Sequence, residues 1–256
     1  MGIKYKVDST FFKAWSASMS YVLGFITADG SLEDAPYLRG KYLRIYSSDV
    51  DIVEKIKSAL GSEHKIVSIA PQEVCIEGKR YNSRERYMLR IGSQEIYNDL
   101  LALGVTPHKS KTIQFPVVPR DFIPAFLRGY LDGDGCISIY GKKKRLSVTF
   151  TSGSKLFLEG LSKTVSCALG LKTHKVFQNH RAFQIKYSTK EAVIILKYIY
   201  LDISNGLFLD RKHKIFLAFC GQYPEWREYV GVVPKWLREL SAKQLFTGSS
   251  PVHALN

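Results

Sequence analysis

The chain is short of cysteine, short of acid relative to base, and without a long apolar run, and each shortage excludes a class of protein. Four cysteines (Cys75, Cys136, Cys167 and Cys220) in 256 residues show neither CxxC spacing nor the density of a disulfide framework. They read as reduced thiols of an intracellular protein. No zinc-ligand spacing exists among Cys and His. No uninterrupted apolar stretch reaches the roughly 18 residues of a membrane helix. Residues 1–8 are polar and basic, unlike a secretory leader. A soluble protein of cytoplasm, nucleoid or organelle is expected, with no membrane association. Acid is outnumbered: 37 Lys and Arg against 23 Asp and Glu give a formal charge of +14. An excess of that size is the footprint of a partner that is a polyanion, and nucleic acid is the usual one. Hydrophobic content of 45% supports a real core and excludes wholesale disorder.

What the chain does have, it says twice. Residues 22–30 read Val-Leu-Gly-Phe-Ile-Thr-Ala-Asp-Gly and residues 127–135 read Leu-Arg-Gly-Tyr-Leu-Asp-Gly-Asp-Gly. Each copy is an apolar helical run with small residues four apart (Gly24 and Ala28, Gly129 and Gly133) ending in Asp-Gly. Small residues at i and i+4 share a helix face and let another backbone approach closely. Two helices packed on those faces bring Asp29 and Asp134 together at their C-terminal ends. Two carboxylates at the negative ends of two helix dipoles repel unless a cation lies between them. The spacing points to a metal site.

The rest of the chain repeats in the same register. Ser16 or Ser18 is the expected N-cap of the first motif helix. A polar turn at 33–36 and a strand at 41–47 follow, then a helix capped by Asp49 and stopped by Gly61. Strands at 64–69 and 87–91 flank a very polar stretch at 78–86, and a helix at 94–103 ends at Gly104. After Pro116-Val117-Val118-Pro119, an extended helix-breaking linker, Asp121 is expected to cap the second motif helix. A strand–turn–strand at 136–151, a helix at 154–169, strands near 174–178 and 182–187 and a helix at 190–200 follow. Each unit ends alike, in His108-Lys109-Ser110-Lys111-Thr112-Ile113 and in Arg211-Lys212-His213-Lys214-Ile215. The offset between copies is about 105 residues, the mark of a duplicated unit. The expected class is mixed α+β, with two pseudo-two-fold αββαββα units. The units span 1–115 and 122–220, joined by a linker at 116–121. An extension with a helical part around 234–240 and a tail occupy 221–256. The chain begins at Met1 and ends Leu255-Asn256 without the His-Asn of a splice junction, so a free-standing protein is expected.

The doubled glycine-rich helix ending in Asp resembles the LAGLIDADG family, best known as homing endonucleases. The second copy matches the pattern closely; the first departs at Thr27, where the family often has an acid matching Asp132. The resemblance covers roughly residues 16–220. It implies two motif helices packed at the centre of the molecule and an antiparallel β-saddle along double-stranded DNA. It also implies Asp29 and Asp134 as catalytic metal ligands, with the carbonyls of Ala28 and Gly133 also touching metal. Mg²⁺ is the implied ion, with Mn²⁺ or Ca²⁺ able to take its place in binding. Carboxylate and carbonyl oxygens suit such a hard cation, and a metal between attacking and leaving oxygens stabilises both. The resemblance further implies Lys109 and Lys212 as the basic residues beside the active site, with Lys111 and Lys214 as fallback positions. The implied activity is a staggered, sequence-specific double-strand break at a long, loosely palindromic site. A monomer without an obligate protein partner would make it.

Residues on the outward strand faces are the candidates for DNA contact, because a two-stranded ribbon can read base edges in the major groove. They are Tyr42, Arg44, Tyr46, Arg84, Arg86 and Arg90 in the first half. In the second half they are Arg145, Ser147, Thr149, Gln184 and Lys186, with Lys142 at the tip of a Lys142-Lys143-Lys144 hairpin on phosphates. An EF-hand reading of Asp132-Gly133-Asp134-Gly135 fails, since Lys143 stands where the loop needs a bidentate Glu. Asn179-His180 reads as a turn. Two alternatives remain open: an RNA maturase that assists splicing of its own intron, and a non-catalytic DNA-binding regulator on the same fold. Retention of both aspartates and both lysines weighs against the regulator.

Overall fold

The computed structural model describes residues 5–35, 40–76, 78–142 and 144–228. Helix α1, Ala17–Asp29, starts at Ser16, whose hydroxyl accepts from the Met19 amide at 3.0 Å, satisfying one orphan donor of the first turn. It runs directly into β1, Gly30–Ala35. Then come β2 (Gly40–Ser47), α2 (Val50–Ala59), β3 (Ile66–Ile69), β4 (Glu73–Ile76), β5 (Lys79–Asn82), β6 (Arg86–Gly92) and α3 (Gln94–Ala102). A short 3₁₀ turn, Lys109–Lys111, ends this half. The second half repeats the plan: α4 (Ile123–Asp134), β7 (Gly135–Tyr140), β8 (Arg145–Ser152), α5 (Lys155–Leu169), β9 (Phe177–Asn179), β10 (Ala182–Ser188) and α6 (Thr189–Ile199). Helix α7 (Asp210–Gln222) and the short α8 (Pro224–Glu228) follow.

The two four-stranded antiparallel sheets have matching orders, β1-β2-β6-β3 and β7-β8-β10-β9. Register makes one face of each sheet apolar. Leu43 faces Ile91 and Ile45 faces Leu89; Ile137 faces Val148 and Ile185 faces Phe150, and all of these are buried. Helices α2, α3, α5 and α6 cover those faces, each contributing buried Ile, Leu, Val, Tyr or Phe. Outward positions alternate with these, as the two-residue period of a strand requires.

At the centre, α1 and α4 pack backbone to backbone. A β-carbon built on Gly24 would lie 2.1 Å from the Phe126 carbonyl oxygen, and one on Gly129 would lie 2.0 Å from that of Tyr21. Nothing larger than glycine fits at these crossings. Residues 19–27 are all buried, so α1 has no solvated face and serves as a core element to both halves.

Several sequence expectations are corrected. The polar stretch after Gly30 is not simply a turn, because β1 extends through Glu33 and Asp34 and pairs along its length with β2. The stretch 73–82 forms a separate two-stranded hairpin, β4–β5, which the second half lacks among its described residues. Asp121 does not cap α4: it lies in a 3₁₀ turn, and Phe122 stands at the cap position with no side-chain bond. Asp49 stands at the N-cap of α2 without bonding its amides and instead grips Arg211. The strand expected near 174–178 is shifted to Phe177–Asn179, and His180 does turn the chain, at φ 51°. Lys143 and the stretches around 234–240 and 247–256 lie outside the described residues.

Candidate functional site

Asp29 and Asp134 are the last residues of α1 and α4, and Gly30 and Gly135 after them open β1 and β7. The small-residue faces fix how these ends meet. A β-carbon on Gly133 would lie 2.4 Å from the Ala28 Cβ and 3.3 Å from Asp29 Oδ2. The Asp29 carboxylate therefore lies directly against the α4 backbone one residue before Asp134. Asp29 is half-buried and Asp134 exposed. Neither has a hydrogen-bond or ion-pair partner among the described residues.

The electrostatics are those of a site short of positive charge. Burial pushes the Asp29 carboxyl up to about 6, and the Asp134 charge pushes it the same way; Lys212 and Lys109 pull against them. Asp134, though its side chain reaches solvent, is raised because the packed helix ends strip water from its surroundings, and Lys109 and then Lys212 oppose the rise. Each aspartate thus feels first the lysine of the opposite half.

Both lysines are buried, at 5% and 4% exposure, which rules out solvated helix starts. Burial lowers the pKa of each. Their geometry differs. Lys109 Nζ, on its 3₁₀ turn, donates to the Ala28 carbonyl at 3.3 Å. Lys212 Nζ, in the first turn of α7, donates to the carbonyls of Leu131 (2.6 Å), Asp132 (2.9 Å) and Gly135 (2.7 Å). Those bonds use all three ammonium protons and place a full charge on the negative end of α4. The fallback positions Lys111 and Lys214 are exposed.

Among the described residues no cluster of three or more His, Cys, Asp or Glu could hold a metal. A site here is a two-carboxylate site completed by backbone carbonyls, and the donor set fits a hard cation: two unpartnered carboxylates, one of them held protonated well above its usual range, beside the Ala28 and Gly133 backbone.

The candidate DNA-contact residues fall on the outward faces with one exception. Arg44 pairs with Arg90 across β2 and β6, and Glu33 on β1 neutralises both, at 3.6 Å and 2.9 Å. Arg90 also stacks on the Tyr42 ring at 3.9 Å. Tyr46 is half-buried; Arg84, Arg86, Lys142, Arg145 and Lys186 are exposed, with Lys186 over the Tyr140 ring at 4.2 Å. Gln184 bonds Thr151 and Asn179, and Thr149 is half-buried. Ser147 is the exception, fully buried and bonded to Ser138 at 2.9 Å. Its short side chain sits on the right face but below its neighbours.

Sequence reasoning missed Glu33, which two arginines facing each other across strands call for. It also missed the buried set around Asp132 in α4. Asp132 Oδ2 accepts from the Tyr21 hydroxyl and the Leu209 amide, both at 2.8 Å.

Residues 121–206 match the family model described as a LAGLIDADG-like domain. The match places a LAGLIDADG-like domain in the second half of the chain. The chain's fold is similar to that of the homing endonuclease I-WcaI bound to its DNA recognition sequence, with 14% identity and a TM-score of 0.54 over 80% of this chain and 89% of that one. It is similar also to I-SmaMI bound to uncleaved DNA target in the presence of calcium ions, at 12% identity and a TM-score of 0.51 over 93% and 100% of the two chains. Among curated proteins, a probable translation initiation factor IF-2 of Thermococcus kodakarensis is 31% identical over 154 residues. That match spans 58% of this chain and 11% of the relative's length. No described helix is long and apolar enough to cross a membrane.

Proposed function

We propose that the protein is a monomeric, divalent-metal-dependent homing endonuclease that cuts both strands of a specific DNA duplex. The observation that carries the reading is the pair of unpartnered carboxylates, Asp29 and Asp134, brought together at the ends of the glycine-packed helices. Such a pair is a cost to the fold that a structural role would have no reason to retain. The +14 charge and the likeness in fold to DNA-bound endonucleases support a duplex as the partner. Neither supports an RNA maturase or a regulator specifically.

Asp29 and Asp134, with the Ala28 and Gly133 carbonyls, would hold Mg²⁺, which supplies charge to stabilise the attacking and leaving oxygens and acidifies bound water. The chain's own groups do the rest. The carboxylates must be ionised to serve, a condition Asp29 meets above about pH 6. Lys109, with protons beyond its bond to Ala28, is placed to donate to the developing phosphorane charge. Lys212 holds a fixed charge at the α4 end. The outward residues Tyr42, Arg44, Tyr46, Arg84, Arg86, Arg90, Lys142, Arg145, Thr149, Gln184 and Lys186 would anchor phosphates and read base edges.

The test is incubation with a randomised duplex library and Mg²⁺, sequencing what is cut, followed by the same assay with Asp29→Asn and Asp134→Asn. Each variant should lose on the order of 10³-fold or more in cleavage and keep DNA binding, and binding should weaken steeply with added salt as counterions are released. Cleavage of both strands at the normal rate by either variant would refute the mechanism.

A further inference from the structure

The segments that deliver the two lysines are not held alike. In the second half, Asp132 is 3% exposed and binds the Leu209 amide, and Leu209 stands at the N-cap of α7, three residues before Lys212. Tyr21, reaching over from α1, holds the other side of the same carboxylate oxygen. One turn earlier on α4, the buried Arg128 donates to the carbonyls of Leu207 at 2.9 Å and of Ile199. The α6–α7 loop is thereby tied to α4 at its beginning and its end. Two ion pairs fasten it from the first half. Lys55 binds Asp210 at 2.8 Å and the Phe208 carbonyl at 3.0 Å. Arg211 grips both Asp49 oxygens at 2.9–3.1 Å.

The first half has none of the central set. The positions equivalent to Asp132, Arg128 and Tyr21 are Thr27, Leu23 and Phe126. The Thr27 hydroxyl donates at 2.8 Å to Leu23 O in its own helix, so it reaches no loop. Lys109 stands on a three-residue 3₁₀ turn entered through His108 at φ 56°. That turn rests on the second half through Gly153, against the Ser110 carbonyl, and through Ser154, whose hydroxyl donates to Ile113 O at 2.6 Å.

We infer that Tyr21, Arg128 and Asp132 are positioning residues that preassemble the Lys212 centre, so that the two DNA strands are cut in a fixed order with the strand at the Lys212 centre first. The inference rests on the nuclease reading. A centre whose charges are already fixed reorganises nothing when the reaction begins. The Lys109 centre, on a lightly held turn, must be set in place by substrate binding, and misplacements of about 1 Å can cost on the order of 10²-fold in rate.

The test uses the full chain and a cleaved duplex labelled differently on its two strands. Wild type should accumulate a duplex nicked in one strand. Tyr21→Phe, which installs the residue already present at Phe126, should slow the early cut roughly tenfold, the effect of one buried hydrogen bond, and leave the late one unchanged. Asp132→Asn should slow the early cut further. Equal rates on the two strands in wild type, or equal slowing of both by Tyr21→Phe, would overturn the inference, because a general loss of stability moves both strands together. Amide exchange reads the positioning without DNA. Tyr21→Phe should raise exchange over 207–213 and not over 108–113, and unchanged exchange at 207–213 would also overturn it. A wild type that cuts neither strand refutes the nuclease reading, and the exchange result then decides the positioning by itself.

Discussion

Replacing Asp29 by asparagine should make the metal-free protein more stable at pH 8 while abolishing its response to metal. The Asp29 carboxyl titrates at about 6 in the folded protein against a reference of 3.8, first because it is buried and then because Asp134 faces it. A carboxyl whose folded pKa lies above its unfolded one contributes nothing below the unfolded value, where both states are protonated. Between about 3.8 and 6 the unfolded chain releases a proton that the folded chain keeps, so stability falls as pH rises. Above 6 the loss is complete. At about 1.4 kcal/mol per pKa unit the full cost is about 3 kcal/mol, and solvent beside the half-buried group brings it to roughly 1–2 kcal/mol. Asparagine keeps the shape and removes the charge. The variant should therefore melt roughly 2–8 °C higher in EDTA at pH 8 and within a degree or two of wild type at pH 4. Added Mg²⁺ should stabilise wild type and leave the variant unmoved. A variant equally or less stable at pH 8 in EDTA, or an offset that is the same at both pH values, would refute the argument that the site is a destabilising pair kept for a cation.

Gly129→Ala places a methyl 2.0 Å from the Tyr21 carbonyl oxygen, so α1 and α4 must part; thermal melts should show a loss of roughly 3 kcal/mol or failure to fold. Lys212→Met removes the ammonium from three carbonyls and should cost roughly 2–4 kcal/mol in urea unfolding. Lys214→Met, two residues away and exposed, should change stability by less than about 0.5 kcal/mol. Equal effects would mean that Lys212 is not the cap of the α4 end.

The duplicated architecture was legible because its signals are local and periodic. Gly24, Gly129, Asp29 and Asp134 announce the helix pair by spacing, and alternation in 41–47 and 145–151 announces the strands. What stayed hidden depends on long-range partners. Nothing near Asp132 in sequence reveals that it binds Leu209 and Tyr21, residues 77 and 111 positions away. Likewise Asp121 carries a cap residue's chemistry, but Pro124 and the tight turn before it set the helix start at Ile123 instead. Ser147 obeyed the strand period and still failed as a surface residue, because period fixes the face and not the height of the side chain above it. The lysines were found by repetition, yet their burial was not, since only the assembled helix ends supply the carbonyls that make a buried ammonium tolerable.

The two outward faces differ enough to predict different half-sites. The first half presents Tyr42, Arg44, Tyr46, Arg86 and Arg90, with Glu33 holding the two inner arginines on one carboxylate oxygen and Tyr42 stacked against one of them. A guanidinium fixed in plane is the side chain that pairs bidentately with guanine in the major groove. The corresponding face of the second half carries Arg145 and Lys186 but is centred on Ser138, Thr149, Thr151 and Gln184, with Gln184 tethered by Thr151 and Asn179. The glutamine amide pairs bidentately with adenine, and threonine methyls make the apolar contact with the thymine methyl. Sequences recovered from the cleavage selection should therefore be enriched in G·C pairs under the first half and in A·T pairs under the second. Glu33→Gln, which frees the arginines to swing, should relax the G·C preference at those positions and leave the other half-site as it was. A selected site that is a true palindrome would mean that neither set of side chains sets the specificity, and that shape rather than base edges is being read.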